Sequence, residues 1–261
     1  MKATLITGAS SGIGEEFARR LAAEGHDLVL VARSETRLHE LCDELMLRHK
    51  ITAHYVVLDL SEAGADEKLF AQTEKHGFEI SWLINNAGFG SSGDFTKLDL
   101  RRELQMIDLN IRSLVALTHR YLGPMRKNRR GTIINVSSAA GFQPLPFMAT
   151  YAATKAFVSS FSEAIAEENA AFGIQVLTLC PGSTDTNFFA ASEIERPIRM
   201  KGQQSVEQVV ETALRAVRSG RRKVVSGFVN KVGARIGTLL PHRISSMLVG
   251  RALRKSSDSG T

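Results

Sequence analysis

Short apolar runs alternate with helical stripes along most of the chain. Lys2–Thr7 is apolar and β-branched and stops at Gly8, a pattern that predicts a buried strand. A helical pattern follows at 15–24. Asp27–Ala32 repeats the strand pattern around Leu28-Val29-Leu30-Val31, and 37–49 repeats the helical one. Residues 54–58 and 82–84 read as third and fourth strands, with a helix at Ala65–Lys75 between them. Such alternation requires right-handed crossovers and a parallel sheet. Residues 98–127 then predict one long helix, Gly131–Val136 a fifth strand, 151–172 a helix and 175–179 a sixth strand. A helix at 206–219 and a strand at 223–226 complete the series. The expected class is α/β, doubly wound, with a mostly parallel seven-stranded sheet and helices on both faces.

Past residue 227 the pattern changes. Val229, Val232, Ile236 and Leu240 recur at helical spacing, with Lys231 and Arg235 off that face. Pro241 interrupts it, and Ile244, Met247 and Leu248 resume it beside Arg243, Arg251 and Arg254. The chain divides into a body, 1–227, and a basic amphipathic extension, 228–261. Two short basic helices there could lie on an anionic membrane surface, close over a cleft or pack on a second subunit. Residues 256–261 read as a disordered end. Charge follows the same division: 215–261 holds 11 lysines and arginines against one acid, and 1–214 holds 22 against 26. Such asymmetry points to an anionic partner. Nucleic acid is not expected, because the three tyrosines and one tryptophan form no interleaved aromatic–basic pattern.

At 261 residues and 43% hydrophobic, the chain can bury one sizeable core. Two distant cysteines, Cys42 and Cys180, exclude a disulfide scaffold, and seven scattered histidines lack ligand spacing, so no metal is expected. No apolar run approaches the roughly 18 residues of a membrane span. The first residues enter a glycine-rich turn without a signal-peptide core. The expected location is cytoplasmic, with peripheral membrane contact as the alternative.

The turn after the first strand is Gly8-Ala9-Ser10-Ser11-Gly12-Ile13-Gly14. Strand, glycine turn and helix make a phosphate cradle: glycines allow close backbone approach, and the helix N-terminus offers N–H donors and a positive dipole. The spacing is G-x-x-x-G-x-G, not the common G-x-G-x-x-G. An acid ending the second strand would bind the adenosine ribose; here the residues are Ala32-Arg33-Ser34. A guanidinium there suits a 2′-phosphate, which predicts NADP(H) as the preferred cofactor. Glu35 argues for NAD(H), which stays open.

Tyr151 and Lys155 lie four residues apart, so on a helix they share a face. A nearby cation favours a phenolate, and a lowered tyrosine pKa suits acid–base work on an alcohol or carbonyl. Two apolar, aromatic loops, 141–148 with Phe142 and 183–205 with Phe188, border the same strand ends. They predict a hydrophobic carbonyl or alcohol as substrate.

Taken together, Thr7-Gly8-x-x-x-Gly12-x-Gly14, Asp59, Asn85-Asn86-Ala87-Gly88, Asn110, Ser138, Tyr151-x-x-x-Lys155 and Pro181-Gly182 resemble the short-chain dehydrogenase/reductase family, over about 3–190. The resemblance implies a Rossmann-like fold and an NAD(P)-dependent ketone–alcohol interconversion. It makes Tyr151 the acid–base group, and Lys155 the residue that binds the nicotinamide ribose and lowers the Tyr151 pKa. Ser138 would position the substrate oxygen, with Ser137 as the alternative, and Asn110 would hold a relay water. Asp59 would meet the adenine, Ser11 and Arg33 the 2′-phosphate, and Asn86, Ala87 and Gly88 the cofactor cleft. Ser10, Ile13, Leu60, Pro181, Gly182 and Thr184 fall in the same cleft, and Thr186 would contact the carboxamide. A homodimer or homotetramer is implied, with the helices 98–127 and 151–172 at one interface. A non-catalytic cofactor-sensing module and a lipid-binding protein on the same fold are the alternatives.

Overall fold

The structure is a computed structural model that describes residues 1–184 and 203–239, with positions 243, 246, 247 and 250. Seven strands form one sheet: β1 Lys2–Thr7, β2 Asp27–Ala32, β3 Ala53–Val57, β4 Glu79–Asn85, β5 Gly131–Val136, β6 Ile174–Cys180 and β7 Lys223–Val225. Their order is β3-β2-β1-β4-β5-β6-β7. Every pairing is parallel. The order reverses between β1 and β4, which opens a crevice beyond their carboxyl ends.

Both faces of the sheet are covered. On one lie α1 Gly12–Ala23, α2 Glu35–His49 and α7 Val206–Arg218; on the other lie α3 Ala65–Lys75, α5 Leu114–Lys127 and α6 Ala149–Ala170. Strand side chains alternate between the two cores. In β1, Ile6 joins Phe17, Leu21 and Leu38, whereas Leu5 joins Leu69, Leu117 and Ile133. A strand buried on both faces reads as a continuous apolar run, which is why these strands stand out in the sequence.

The predicted helix at 98–127 is interrupted. A 3-10 turn at Phe95–Lys97 precedes α4, Leu100–Ile107, whose Asp99 cap accepts the Arg101 N–H at 3.0 Å. A π-helical segment, Asp108–Ser113, then leads into α5. The backbone is helical on both sides, at Ile107 and at Leu114, so the switch in hydrogen bonding leaves no mark in residue type. Helix α6 starts two residues before the predicted start at Tyr151 and contains both Tyr151 and Lys155, as expected.

The first helix of the extension is α8, Phe228–Leu239. The second, predicted past Pro241, lies outside the described residues, as do 256–261. Much of the basic charge ahead of α8 is balanced locally. Arg215 pairs with Glu211, Arg218 with Glu24, Arg222 with Glu167 and Lys223 with Glu163. These are surface pairs, worth about 0–1 kcal/mol each, and their main effect is to cancel charge. Between residues 228 and 257 no acid is present to do the same.

Candidate active site

The glycine turn is fixed from two sides. Gly8 N–H and Ala9 N–H both donate to the Val31 carbonyl, at 2.8 and 3.2 Å. Asn86 Nδ2 donates to the Thr7 and Gly8 carbonyls at 2.9 and 3.2 Å. The Thr7 hydroxyl accepts the Asn86 and Ala87 N–H groups, each at 3.0 Å. Asn86 and Ala87 thus bind the turn to the end of β4. A β-carbon at Gly14 would lie 2.2 Å from the Gly8 carbonyl oxygen, so the helix enters the turn only without a side chain. Ser11, the residue before α1, makes no side-chain cap, and the first N–H groups of that helix face the turn. Backbone packed against backbone, with uncapped N–H groups at a helix N-terminus, fits a pyrophosphate. Ser10 lies in this turn and Ile13 packs back on the core.

Arg33 ends the β2 side of the crevice. Its side chain is 73% exposed, and Nη1 lies 3.6 Å from Asp59 Oδ2. Asp59 Oδ1 accepts the Ser61 N–H at 2.9 Å and the Ser61 hydroxyl at 2.6 Å. Burial pushes the Asp59 carboxyl up, but the Ser61 bonds and Arg33 outweigh it and hold it below its ordinary value. Glu35 is the first residue of α2, where an acid suits the helix dipole. Leu60 is a core residue, 5% exposed.

Tyr151, Lys155 and Ser138 converge between β5 and α6. The Ser138 hydroxyl accepts the Ala140 N–H at 3.1 Å and lies close enough to the Tyr151 hydroxyl to pull its pKa down. Ser137 points elsewhere: its hydroxyl donates to the Lys155 carbonyl at 2.7 Å and meets Ser159 Oγ at 2.8 Å. Lys155 Nζ donates to the Val136 carbonyl at 2.9 Å and lies 5.8 Å from the centre of the Tyr151 ring. Asn110, in the π-helical segment, clasps Phe89 by both backbone groups: Oδ1 accepts its N–H at 3.2 Å, and Nδ2 donates to its carbonyl at 3.0 Å. Nδ2 also reaches Thr154 Oγ1 at 3.1 Å, tying this segment to α6. A β-carbon at Gly88 would lie 2.8 Å from Asn110 Oδ1 and 3.4 Å from Lys155 Nζ, so the bare glycine keeps the approach to both groups open.

The electrostatics differ from the sequence expectation in one respect. Burial pushes the Tyr151 hydroxyl up to about 12, with the Ser138 bond pulling it back. Burial likewise pulls the Lys155 ammonium down to about 8, against a smaller upward pull from Cys180. Desolvation is the largest cause in both groups, so the expected lowering of the tyrosine is not supplied by Lys155 alone.

The remaining predicted residues divide. Pro181, Gly182 and Thr184 follow β6; the Pro181 carbonyl accepts the Ala139 N–H at 2.7 Å, and Thr184 Oγ1 donates to the Gly182 carbonyl at 3.1 Å. The Phe142 ring lies under Lys223 Nζ at 4.6 Å, which holds it on the β7 flank of the site. Thr186 and Phe188 lie outside the described residues. Two supporting groups, Thr154 and Asn135, escaped sequence reading, and Asn85 was read only as part of its motif. Thr154 orients Asn110, and Asn85 and Asn135 form a buried chain in which Asn85 Nδ2 donates to Asn135 Oδ1 at 2.9 Å and Asn135 Nδ2 to Ser162 Oγ at 2.9 Å. A polar residue within an apolar strand was the available signal.

The short chain dehydrogenase family pattern matches residues 2–197. The very-long-chain 3-oxoacyl-CoA reductase of Rattus norvegicus is 31% identical over 248 residues, which cover 92% of this chain and 76% of that protein. A short-chain dehydrogenase from Sphingobium yanoikuyae in complex with NADPH superposes with a TM-score of 0.81 at 29% identity, covering 99% of this chain and 96% of that one. A bulky-bulky ketone specific alcohol dehydrogenase from Comamonas testosteroni superposes with a TM-score of 0.76 at 28% identity, covering 100% and 95%. With seven parallel strands, the glycine turn and the Ser138–Tyr151–Lys155 cluster in place, the chain belongs to the short chain dehydrogenase family. It is an NAD(P)-dependent dehydrogenase or reductase.

The buried lysine makes stability depend on pH. Below pH about 8 the folded protein carries a buried ammonium; as pH rises toward the ordinary lysine value of 10.5, the folded group is neutral while the unfolded one stays charged. Its contribution to stability therefore rises through that window. Above pH 10 Tyr151 acts oppositely, because the folded hydroxyl stays neutral to about 12. Thermal melts of ligand-free wild type and Lys155→Met should show the difference moving in favour of wild type between pH 8 and 10. A difference independent of pH would contradict the burial account.

Proposed function

We propose that the protein is an NADP(H)-dependent enzyme interconverting a ketone and a secondary alcohol on a hydrophobic small molecule. The observation that carries this reading is the Tyr151 hydroxyl beside Ser138, with the buried Lys155 ammonium 5.8 Å from the Tyr151 ring. A bound nicotinamide cofactor supplies the hydride in reduction and accepts it in oxidation. The glycine turn and the N-terminus of α1 hold its pyrophosphate, and Arg33 with Ser11 its 2′-phosphate. Lys155 donates to its ribose hydroxyls.

The chain's own residues manage the substrate oxygen and its proton. Ser138 donates to the carbonyl oxygen and stabilises the charge that grows there. In reduction Tyr151 gives that oxygen its hydroxyl proton; in oxidation the phenolate removes the alcohol proton. Lys155, charged and close, stabilises the phenolate. Asn110 holds Phe89 and Thr154 with its side chain, so a relay water for Lys155 would bind the remaining Oδ1 lone pair or the Asn110 carbonyl. Support for a hydrophobic substrate comes from the apolar 141–148 loop and from relatives named for very-long-chain acyl and bulky ketone substrates.

Two exposed apolar faces supply partners in this reading. Leu100 (64% exposed), Leu104 (53%) and Ile107 (38%) line one side of α4, and Phe157 is 40% exposed on α6. Self-association through these faces gives a homodimer. On α8, Phe228 is 81% exposed and Val229 59%, with Lys231 beside them and no acid nearby in sequence. An apolar and basic face of this kind suits an anionic bilayer rather than a like-charged second copy.

The first test is a panel of apolar ketones with NADPH and NADH. Arg33→Ala should raise the KM for NADPH by about 10–100-fold and leave that for NADH within a factor of about two. Tyr151→Phe should lower kcat by about 10²–10⁴-fold with folding intact. NADH preference in the wild type would overturn the Arg33 assignment. The two faces separate in a reciprocal experiment. Leu104→Glu should halve the mass seen by light scattering without changing pelleting on phosphatidylserine vesicles, and Phe228→Ser should do the reverse. Equal behaviour of the two variants in both assays contradicts these assignments.

A further inference from the structure

Helix α8 takes no part in moving the proton, yet its first turn is wedged into the cofactor side of the cleft. After β7, the Ser226 N–H donates to the Cys180 carbonyl at 3.1 Å. Gly227, at φ +85°, turns the chain into the helix, and its carbonyl accepts the Lys231 N–H at 3.0 Å. Asn230, one turn in, donates from Nδ2 to the Ser226 carbonyl at 2.9 Å. The rest of that carboxamide lies across the α-carbon of Gly182. A β-carbon at Gly182 would fall 1.9 Å from Asn230 Nδ2, 2.1 Å from Cγ and 2.3 Å from Oδ1. A β-carbon at Gly227 would fall 2.9 Å from Asn230 Nδ2 and 2.8 Å from Gln204 Oε1. Two glycines thus leave the room into which these carboxamides fit.

The loop they touch is anchored at its ends. The Pro181 carbonyl accepts the Ala139 N–H at 2.7 Å, next to Ser138, and the Ser183 carbonyl accepts the Gln204 N–H at 3.0 Å. Thr184 and Gln204 form a β-bridge. Gly182 lies between these anchors with no side chain of its own to hold it, and glycine has the freest backbone of any residue. Asn230 covers the space through which that backbone could recede.

We propose that Asn230 is a positioning residue of the cofactor cleft: its carboxamide backs Gly182 and fixes the 181–184 loop. This rests on the reading of that loop as a cofactor wall. The extension is then a working part of the cleft as well as an outer surface. A displacement of about 1 Å at such a wall can cost about 10²-fold in rate, so a remote wedge is enough to matter.

The test compares full-length wild type, Asn230→Ala, Gly182→Ala and the double variant. NADPH affinity is measured by fluorescence, together with KM, kcat and the thermal midpoint. Asn230→Ala should weaken NADPH binding by about three- to tenfold, beyond any change in thermal midpoint. Gly182→Ala should weaken it by more, because its methyl group must displace the Asn230 carboxamide. Adding Asn230→Ala to Gly182→Ala should recover affinity, a non-additive result expected only of groups in contact. Additive losses, or an Asn230→Ala protein that melts lower yet binds NADPH normally, would overturn the proposal. A wild-type chain that binds neither NADPH nor NADH would remove the cofactor-wall reading, and this proposal with it.

Discussion

The Lys155 ammonium is only 5% exposed and has the Val136 carbonyl as its hydrogen-bond acceptor. A buried cation is costly to hold, so it constrains the groups around it. The surrounding elements meet at this group. Strand β5 supplies the Val136 carbonyl, α6 carries Lys155 and Tyr151, and the glycine at 88 clears the approach from β4. In the proposed reading, the ribose hydroxyls of an anionic cofactor would meet this cation beside the Tyr151 hydroxyl.

That site is stiff because its supports reach across the sheet. Thr7 and Asn86 join β1 to β4, Asn85 and Asn135 continue the chain into β5, and Ser162 carries it to α6. Asn135 is fully buried, so each of these bonds forms away from water, where leaving a partner unmatched costs about 1–3 kcal/mol. The polar groups therefore fix the register of the catalytic helix against the nucleotide half of the fold. The candidate site residues after β4, after β5, on α6 and after β6 gather at that end of the sheet.

Much of this was legible in the sequence because its causes are local. Strands covered on both faces leave continuous apolar runs, and a glycine turn between strand and helix has few other uses. Asn110 and Ser138 were placed by resemblance, and the structure brings both to the Tyr151–Lys155 pair. Other features were hidden. The π-helical segment lies between two helical stretches and differs from them in hydrogen bonding rather than in residue type. The start of α6 carries no side-chain cap on Met148 to mark it. The lowered tyrosine pKa was inferred from an i, i+4 cation, but that spacing says nothing of burial, which decides the sign in the protein alone. The contact between Asn230 and Gly182 joins distant parts of the chain, so no window of sequence contains it.

The central claim, that cofactor binding completes a buried and partly neutral lysine, has a direct readout in protons. NADPH binding can be followed by calorimetry near pH 8.5 in buffers of different ionisation enthalpy. At that pH the Lys155 amine of the ligand-free protein is near its own pKa of about 8, whereas the cofactor's 2′-phosphate, with a second pKa of about 6, is already ionised. The account predicts net proton uptake on binding, lost in Lys155→Met. Binding with no proton uptake by the wild type would contradict it.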